Sequence, residues 1–243
     1  MEIGEYIEVN NSLIMWGFLC LFFFLIFIPL FRTIRNKKML KTVTSLKRGT
    51  KSERDLVLKL LKHKIPAQTI FHDLYIEKNN EEFSQVDIVI ATTEGIIIIE
   101  VKDYSGWIFG NGNHSHWTKV LAYGKQKYQF YNPIKQNENH ISAIKKQLRQ
   151  FNNIPFFSII VFYGDCELKE INYVPKNTFL VKASRIFEVL KLIRKNNEPA
   201  PYTNKNEIIK ILKQAVKNGE NERNQEKHVD NIEDMLGKYR IFN

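Results

Sequence analysis

The sequence predicts a mixed α/β domain preceded by one transmembrane helix, and three observations carry that prediction. An uncharged, apolar run from Val9 to Phe31 is long enough, at about 1.5 Å per helical residue, to cross a bilayer. After it come three strand-like runs in succession, TIFHDLYI, QVDIVIAT and GIIIIEVK. A helical stripe from Pro133 then leads into a further buried run, FFSIIVFY, so helix, three strands, helix and strand succeed one another in the order of an α/β fold.

The expected elements run in this order. Residues 1–11 form an extracytoplasmic N-terminus and 12–31 the transmembrane helix. The chain starts acidic and its apolar run ends in Pro29, Phe31 and Arg32, without a small-residue cleavage site, which reads as a retained anchor rather than a signal peptide. Residues 32–48 are a basic juxtamembrane linker holding Arg32, Arg35, Lys37, Lys38, Lys41, Lys47 and Arg48 and no acid. That asymmetry places the domain beyond it on the cytoplasmic side of a single-pass membrane protein, with the basic run attracted to anionic lipid headgroups.

A globular domain is expected over 49–198. Thr50 or Ser52 caps a helix with Leu56, Val57, Leu60 and Leu61 at helical spacing, ending before Pro66. The three strands come next, separated by KNNEEF and TTEG. WIF, HWTKVLAY and KYQFY suggest a small antiparallel excursion. Pro133 opens a helix through Ile141, Ile144, Leu148 and Phe151. FFSIIVFY and NTFLVKA are buried strands, a helix runs from Ser184 to Lys195, and Pro199–Pro201 mark a break before a polar helical appendage over 199–243.

Composition narrows the function. The chain has 36 Lys and Arg against 26 Asp and Glu, a net charge of +10, and every basic residue lies after Phe31. The positive excess therefore belongs to the domain and suits a polyanionic partner. Cys20 and Cys166 are the only cysteines, which excludes a disulfide framework and a Cys-based zinc site. Nothing resembles a phosphate-binding loop, a nucleophile elbow, or a Ser and His pair with an orienting acid.

The informative place is the second and third strands. A turn between Thr93 and Glu94 pairs them antiparallel so that Asp87 faces Glu100, with Cβ atoms about 5 Å apart. Lys102 shares that face because side chains repeat every second residue. Like charges set opposite each other destabilise a sheet unless a cation lies between them. Mg²⁺ takes carboxylate oxygens and water, and an ammonium beside it offsets charge developing on a substrate. Four isoleucines run straight into Glu100, so its carboxylate belongs to a core strand, where charge needs a partner.

With these residues in view, the stretch from Gly49 to about Phe151 resembles the nuclease-related domain (NERD) family of the PD-(D/E)XK nuclease superfamily. The resemblance rests on SERDLVLKLL, FHDLYI, SQVDIVIATTEGIIIIEVKDYSGWIFG and NPIKQNENHISAIKKQL. It implies a restriction-endonuclease-like mixed sheet flanked by helices. It also implies Asp87 and Glu100 as ligands of Mg²⁺ or Mn²⁺, Lys102 as the catalytic lysine, Glu53 as the helix carboxylate near the metal and Gln136 as the helix glutamine near the site. Val86 stands where the superfamily's namesake proline would be.

Glu53 also has a competing reading, as an acid placed in a first helical turn because it is favourable to the helix N-terminus. Gln136 and His140, one turn apart, could touch DNA or a metal-bound water, and Gln85 could orient a ligand or end its strand. His114 and His116 lack a third zinc ligand and read as loop polars, and His72 is assigned no catalysis. Lys119, Lys125, Lys127, Lys135, Lys145, Lys146 and Arg149, interleaved with Trp117, Tyr123, Tyr128, Phe130 and Tyr131, support a polyanionic substrate. The expected function is therefore membrane-anchored, metal-dependent hydrolysis of nucleic-acid phosphodiesters, DNA preferred over RNA. The alternative is a non-catalytic member of the same fold, binding nucleic acid or a protein near the membrane, with the terminal helices docking a protein partner.

Overall fold

The computed structural model describes residues 15–16, 24–25, 27–78, 82–121, 124–151 and 153–235. The expected transmembrane helix over 12–31 lies for the most part outside these residues. Among them no helix is long and apolar enough to cross a membrane. Residues 27–40 are helical (α1), with Leu30, Phe31 and Ile34 exposed and Leu40 buried in the domain core.

Helix α2 (Lys51–Lys62) starts at Thr50, whose hydroxyl accepts the Glu53 N–H, and its stripe of Leu56, Val57 and Leu60 is buried. Strands β1 (Ile70–Glu77), β2 (Phe83–Ala91) and β3 (Ile96–Asp103) pair antiparallel. A second unit comes next: β4 (Gly106–Asn111), β5 (His116–Leu121) and β6 (Gln126–Tyr131), the antiparallel excursion read from the sequence. Asn132 then caps α3 (Pro133–Gln147) and Pro133 fills its first position. The helix stops at Gln147 rather than running to Phe151, and Leu148 and Phe151 are buried in the turn beyond it.

β7 (Phe156–Tyr163) lies parallel to β3, and β9 (Thr178–Lys182) parallel to β7. The main sheet thus has the order β1-β2-β3-β7-β9. Both β3 and β7 are covered on two faces, which is why they read as unbroken apolar runs rather than alternating ones. The two cores are distinct. Helix α2 and helix α4 (Ile186–Asn196) pack on Ile88, Ile90, Ile97 and Ile99. Helix α3 and helix α5 (Lys205–Asn218) pack on Val86, Val89, Ile96 and Ile98. α6 (Glu222–Met235) comes after α5.

The second sheet has the order β6-β5-β4-β8, where β8 (Cys166–Asn172) is parallel to β4. β8 was not foreseen, and its physical reason is a bulge: Ile108 pairs with Leu168 but Phe109 with Glu170. The extra residue shifts the inward positions from Leu168 to Ile171, so CELKEIN shows no clean period of two.

Candidate active site

The register pairs Ile88 with Ile99 and Ile90 with Ile97, so the next position along sets Asp87 opposite Glu100, as the turn at Thr93 and Glu94 requires. The ladder itself stops at Ile88. Beyond it the Asp87 carboxylate replaces a backbone partner, its Oδ2 accepting the Val101 N–H at 2.8 Å.

At Asp87 the strand also breaks an alternation, which the sequence does not display. Strict period two would set Val86 with Ile88 and Ile90, yet Val86 packs on the α3 and α5 side while Ile88 and Ile90 pack on the α2 and α4 side. In β1, Phe71 and Leu74 likewise share the α3 and α5 side although three positions separate them. The two breaks stand opposite each other, at Asp87 and at Asp73, between the pairs His72 with Ile88 and Leu74 with Val86. Asp73 is left-handed, at φ 57°. A non-glycine residue there is strained by roughly 1–3 kcal/mol and persists only where its surroundings hold it.

Arg48 supplies much of that hold. Its Nε donates to Asp73 Oδ2 at 2.8 Å, its Nη2 to the Asp73 carbonyl, and its Nη1 to the Val216 carbonyl of α5 at 3.1 Å. Gln85 closes the group by donating to Asp73 Oδ1 at 2.8 Å. Gly219 stands at the end of α5 because a Cβ there would lie 2.4 Å from Arg48 Nη2. From sequence Arg48 reads only as the last cation of the basic linker, and Asp73 is given no role.

Glu100 is buried, and its two oxygens differ. Oε1 meets Lys102 Nζ at 2.6 Å, and that ammonium also donates to Gln136 Oε1 at 2.9 Å. Oε2 lies 3.2 Å from His140 Nε2, an ion-pair distance, but the angle is not that of a hydrogen bond and both atoms are left without one. His140 Nδ1 is 2.8 Å from the Ser84 hydroxyl. Ser84, His140 and Glu100 thus form the Ser, His and acid arrangement that the sequence did not suggest. Ser84 is buried, however, so it braces the imidazole and is not exposed as a nucleophile.

Glu53 is also buried. Its Oε1 accepts from the Thr50 hydroxyl at 2.7 Å and its Oε2 lies 3.2 Å from His72 Nε2. The opposite nitrogen of His72 is 2.7 Å from the Thr44 hydroxyl. His72 is therefore a fully buried link between the segment after α1 and Glu53, a placement its position in FHDL did not reveal. Gly49, at φ 62°, lies against this pair: a Cβ would stand 2.3 Å from Glu53 Oε2 and 2.5 Å from His72 Nε2. Ser52 on α2 donates to Asp103 at the end of β3 and ties the helix start to the strand carrying Glu100.

The electrostatics divide the acids. Burial and then the charges of Glu100 and Glu53 push the Asp87 carboxyl well above its ordinary range. Burial acts the same way on Glu100, but His140 and Lys102 outweigh it and hold the carboxyl below its usual value. Glu53 is lowered too, because His72 and Thr50 outweigh its burial. Lys102 is raised: burial would lower it, and the charge of Glu100 more than offsets that.

Asp87, Glu100, Lys102, Gln136 and Glu53 are thus brought into one electrostatic cluster. His114 and His116 are exposed and stand apart from it, on the turn before β5 and at its start. A cleft of about 480 Å³ lined by His63, Ile65, Phe187, Leu190 and Arg194 holds none of the five. No three His, Cys, Asp or Glu side chains group as metal ligands among the described residues. Two opposed carboxylates, one driven toward its protonated form and the other with an oxygen lacking a hydrogen bond, still fit a hard cation that keeps much of its water.

The central hairpin of the mixed sheet carries Asp87, Glu100 and Lys102 beside the helix glutamine Gln136, and residues 48–163, which include all four, match the family model described as a nuclease-related domain. The chain is also 30% identical over 103 residues to an uncharacterized protein of Bacillus anthracis, covering 42% of this chain and 47% of that one. The chain thus spans about half the length of this curated relative. No solved structure matches the chain.

Proposed function

We propose that this protein hydrolyses phosphodiester bonds of nucleic acid, DNA in preference to RNA, in a divalent-metal-dependent reaction on the cytoplasmic side of a membrane to which the 9–31 run anchors it. The supporting observation is that Asp87 stands across the hairpin from Glu100 and feels its charge, while the Oε2 oxygen of Glu100 lacks a hydrogen bond. These two carboxylates would hold Mg²⁺ or Mn²⁺, with water completing the shell. Bound there, the ion would polarise a phosphoryl oxygen and lower the pKa of an adjacent water.

The chain's own residues do the rest. The Lys102 ammonium, fixed between Glu100 and Gln136, offers positive charge where a phosphate gains negative charge in the transition state. His140, braced by Ser84, holds Glu100 in its rotamer. Glu53 stays ionised and its charge leaves Asp87 in need of a cation.

One observation favours a second reading. The Lys102 ammonium already has two partners, as in a salt bridge that merely joins strand and helix, and a non-catalytic binder needs no more. The full-length chain in detergent, incubated with single- and double-stranded DNA and RNA in Mg²⁺, Mn²⁺ or EDTA, separates the two. Cleavage with metal, none in EDTA, and loss in Glu100→Gln are expected. No cleavage across the panel overturns the enzymatic reading. Protease added outside intact protoplasts should spare the domain, and digestion there would reverse the topology.

A further inference from the structure

The second sheet carries a charge pattern that the acid cluster does not use. From Tyr104 through Asn137 the chain holds Lys119, Lys125, Lys127 and Lys135 and not one Asp or Glu. The acids near this sheet, Glu167 and Glu170, lie on β8, the edge opposite β6.

One face of the sheet arranges cations and rings in a row that starts at the candidate active site. Tyr104 stands two residues after Lys102, just past the end of β3, on the chain that leads from the site into the second sheet. Phe130 packs edge-on against Tyr104 at 4.9 Å between centroids and fixes the ring. Lys119 Nζ lies 4.9 Å from the Tyr104 centroid and 5.6 Å from that of Tyr128, its cross-strand neighbour on β6. Tyr128, at the sheet's edge, is 49% exposed, so part of its ring is free for a further contact. Among the described residues no carboxylate pairs with Lys119.

An ammonium without a counter-ion attracts an anion, and a half-exposed ring at its side attracts a planar, apolar group. A nucleotide supplies both: phosphate for the lysine and base for the ring. In a duplex the bases are stacked on one another, so the ring favours an unpaired strand.

We propose that Lys119 and Tyr128, with Tyr104 behind them, form a binding track for a single strand of nucleic acid leading toward Lys102. This inference rests on the nucleic-acid reading given above and narrows its substrate. Lys119 takes a backbone phosphate, and Tyr128 stacks on a base.

The test is fluorescence anisotropy with a labelled single-stranded oligonucleotide and the matching duplex, in EDTA so that binding is read without cleavage. It uses the full-length chain and its Lys119→Ala, Tyr128→Ala and Lys213→Ala variants. The wild type should prefer the single strand. Tyr128→Ala should weaken single-strand binding about tenfold without changing its salt dependence. Lys119→Ala should weaken it and reduce the slope of log K against log salt by about 0.7, the contribution of one phosphate contact on a single strand. Lys213→Ala, at an exposed position of α5, should do neither.

Equal losses on duplex and single strand, an unchanged slope in Lys119→Ala, or binding by the wild type to anionic lipid vesicles but to neither oligonucleotide would each overturn the track. Metal-dependent cleavage with unaltered variant binding sinks the track and leaves the nuclease reading standing. Single-strand binding that responds to both variants, without cleavage, does the reverse.

Discussion

Replacing Arg48 by Met tests whether the left-handed turn at Asp73 is held by its guanidinium. Met keeps the aliphatic length but removes the bonds to Asp73 Oδ2 at 2.8 Å, to the Asp73 carbonyl and to Val216 O at 3.1 Å. The Asp73 side chain is only 6% exposed and would be left with Gln85 as a partner. Breaking a buried ion pair by removing one member costs about 3–5 kcal/mol. The surviving Gln85 bond places this case near the lower end, about 3 kcal/mol. For a chain of this size each kcal/mol moves Tm by roughly 2–4 °C, so a fall of about 6–12 °C is expected by circular dichroism of the full-length chain. Asp73→Asn in the Arg48→Met background should add little, because the pair is already broken, giving a double-mutant coupling above about 1 kcal/mol. A Tm change under about 2 °C, or additive effects in the cycle, would refute the reasoning: Asp73 would then hold its conformation without Arg48.

The same geometry sets further outcomes. Asp87→Asn keeps an oxygen for the Val101 N–H yet removes a carboxyl whose folded pKa is raised. Such a group loses stability as pH climbs above its unfolded value, so at pH 7 the variant should melt above wild type, while Mg²⁺ should stabilise wild type alone. Glu100 is the opposite case. Its lowered pKa gives stability above the unfolded value that vanishes as pH falls through the folded one, so Glu100→Gln should melt below wild type at pH 7, and the gap should close in acid. Lys102→Ala should abolish cleavage but keep or raise calorimetric Mg²⁺ affinity, since it removes a competing cation from Glu100; unchanged cleavage would show the lysine to be structural. Gly219→Ala should destabilise even though Ala exceeds Gly by about 1 kcal/mol inside helices, because the new Cβ would meet Arg48 Nη2 at 2.4 Å. A rise in Tm would show that Gly219 has no part in seating Arg48.

The hairpin and its register were legible because a tight turn at Thr93 and Glu94 sets IIII against IVIA, a pairing that keeps the apolar residues of both strands on the two covered faces. The helices at Thr50 and Pro133 were legible from their capping residues. β8 was not, since a bulge removes the period on which strand reading relies. His72 and His140 look alike in the sequence, one histidine on a strand and one on a helix. Their pairing with Glu53 and Glu100 joins residues 19 and 40 positions apart, and no local pattern records such a distance.

By itself the sequence determined the α/β order, the facing of Asp87 and Glu100 across a hairpin, the nearness of Lys102 and the positive excess of the domain. Those come from periodicity and counting, which are local properties. Only the tertiary structure decided how Asp87 leaves the alternation of its strand, because that turns on a left-handed Asp73 clasped by Arg48 and on a helix more than a hundred residues further along the chain. It also decided that Lys102 is shared between Glu100 and Gln136, and that Thr44, before the first capped helix, reaches Glu53 through a buried imidazole. The physical reason is common to all three. Buried polar groups must find partners wherever folding brings them, and the identity of a partner is set by the packing of distant elements rather than by neighbours in the chain.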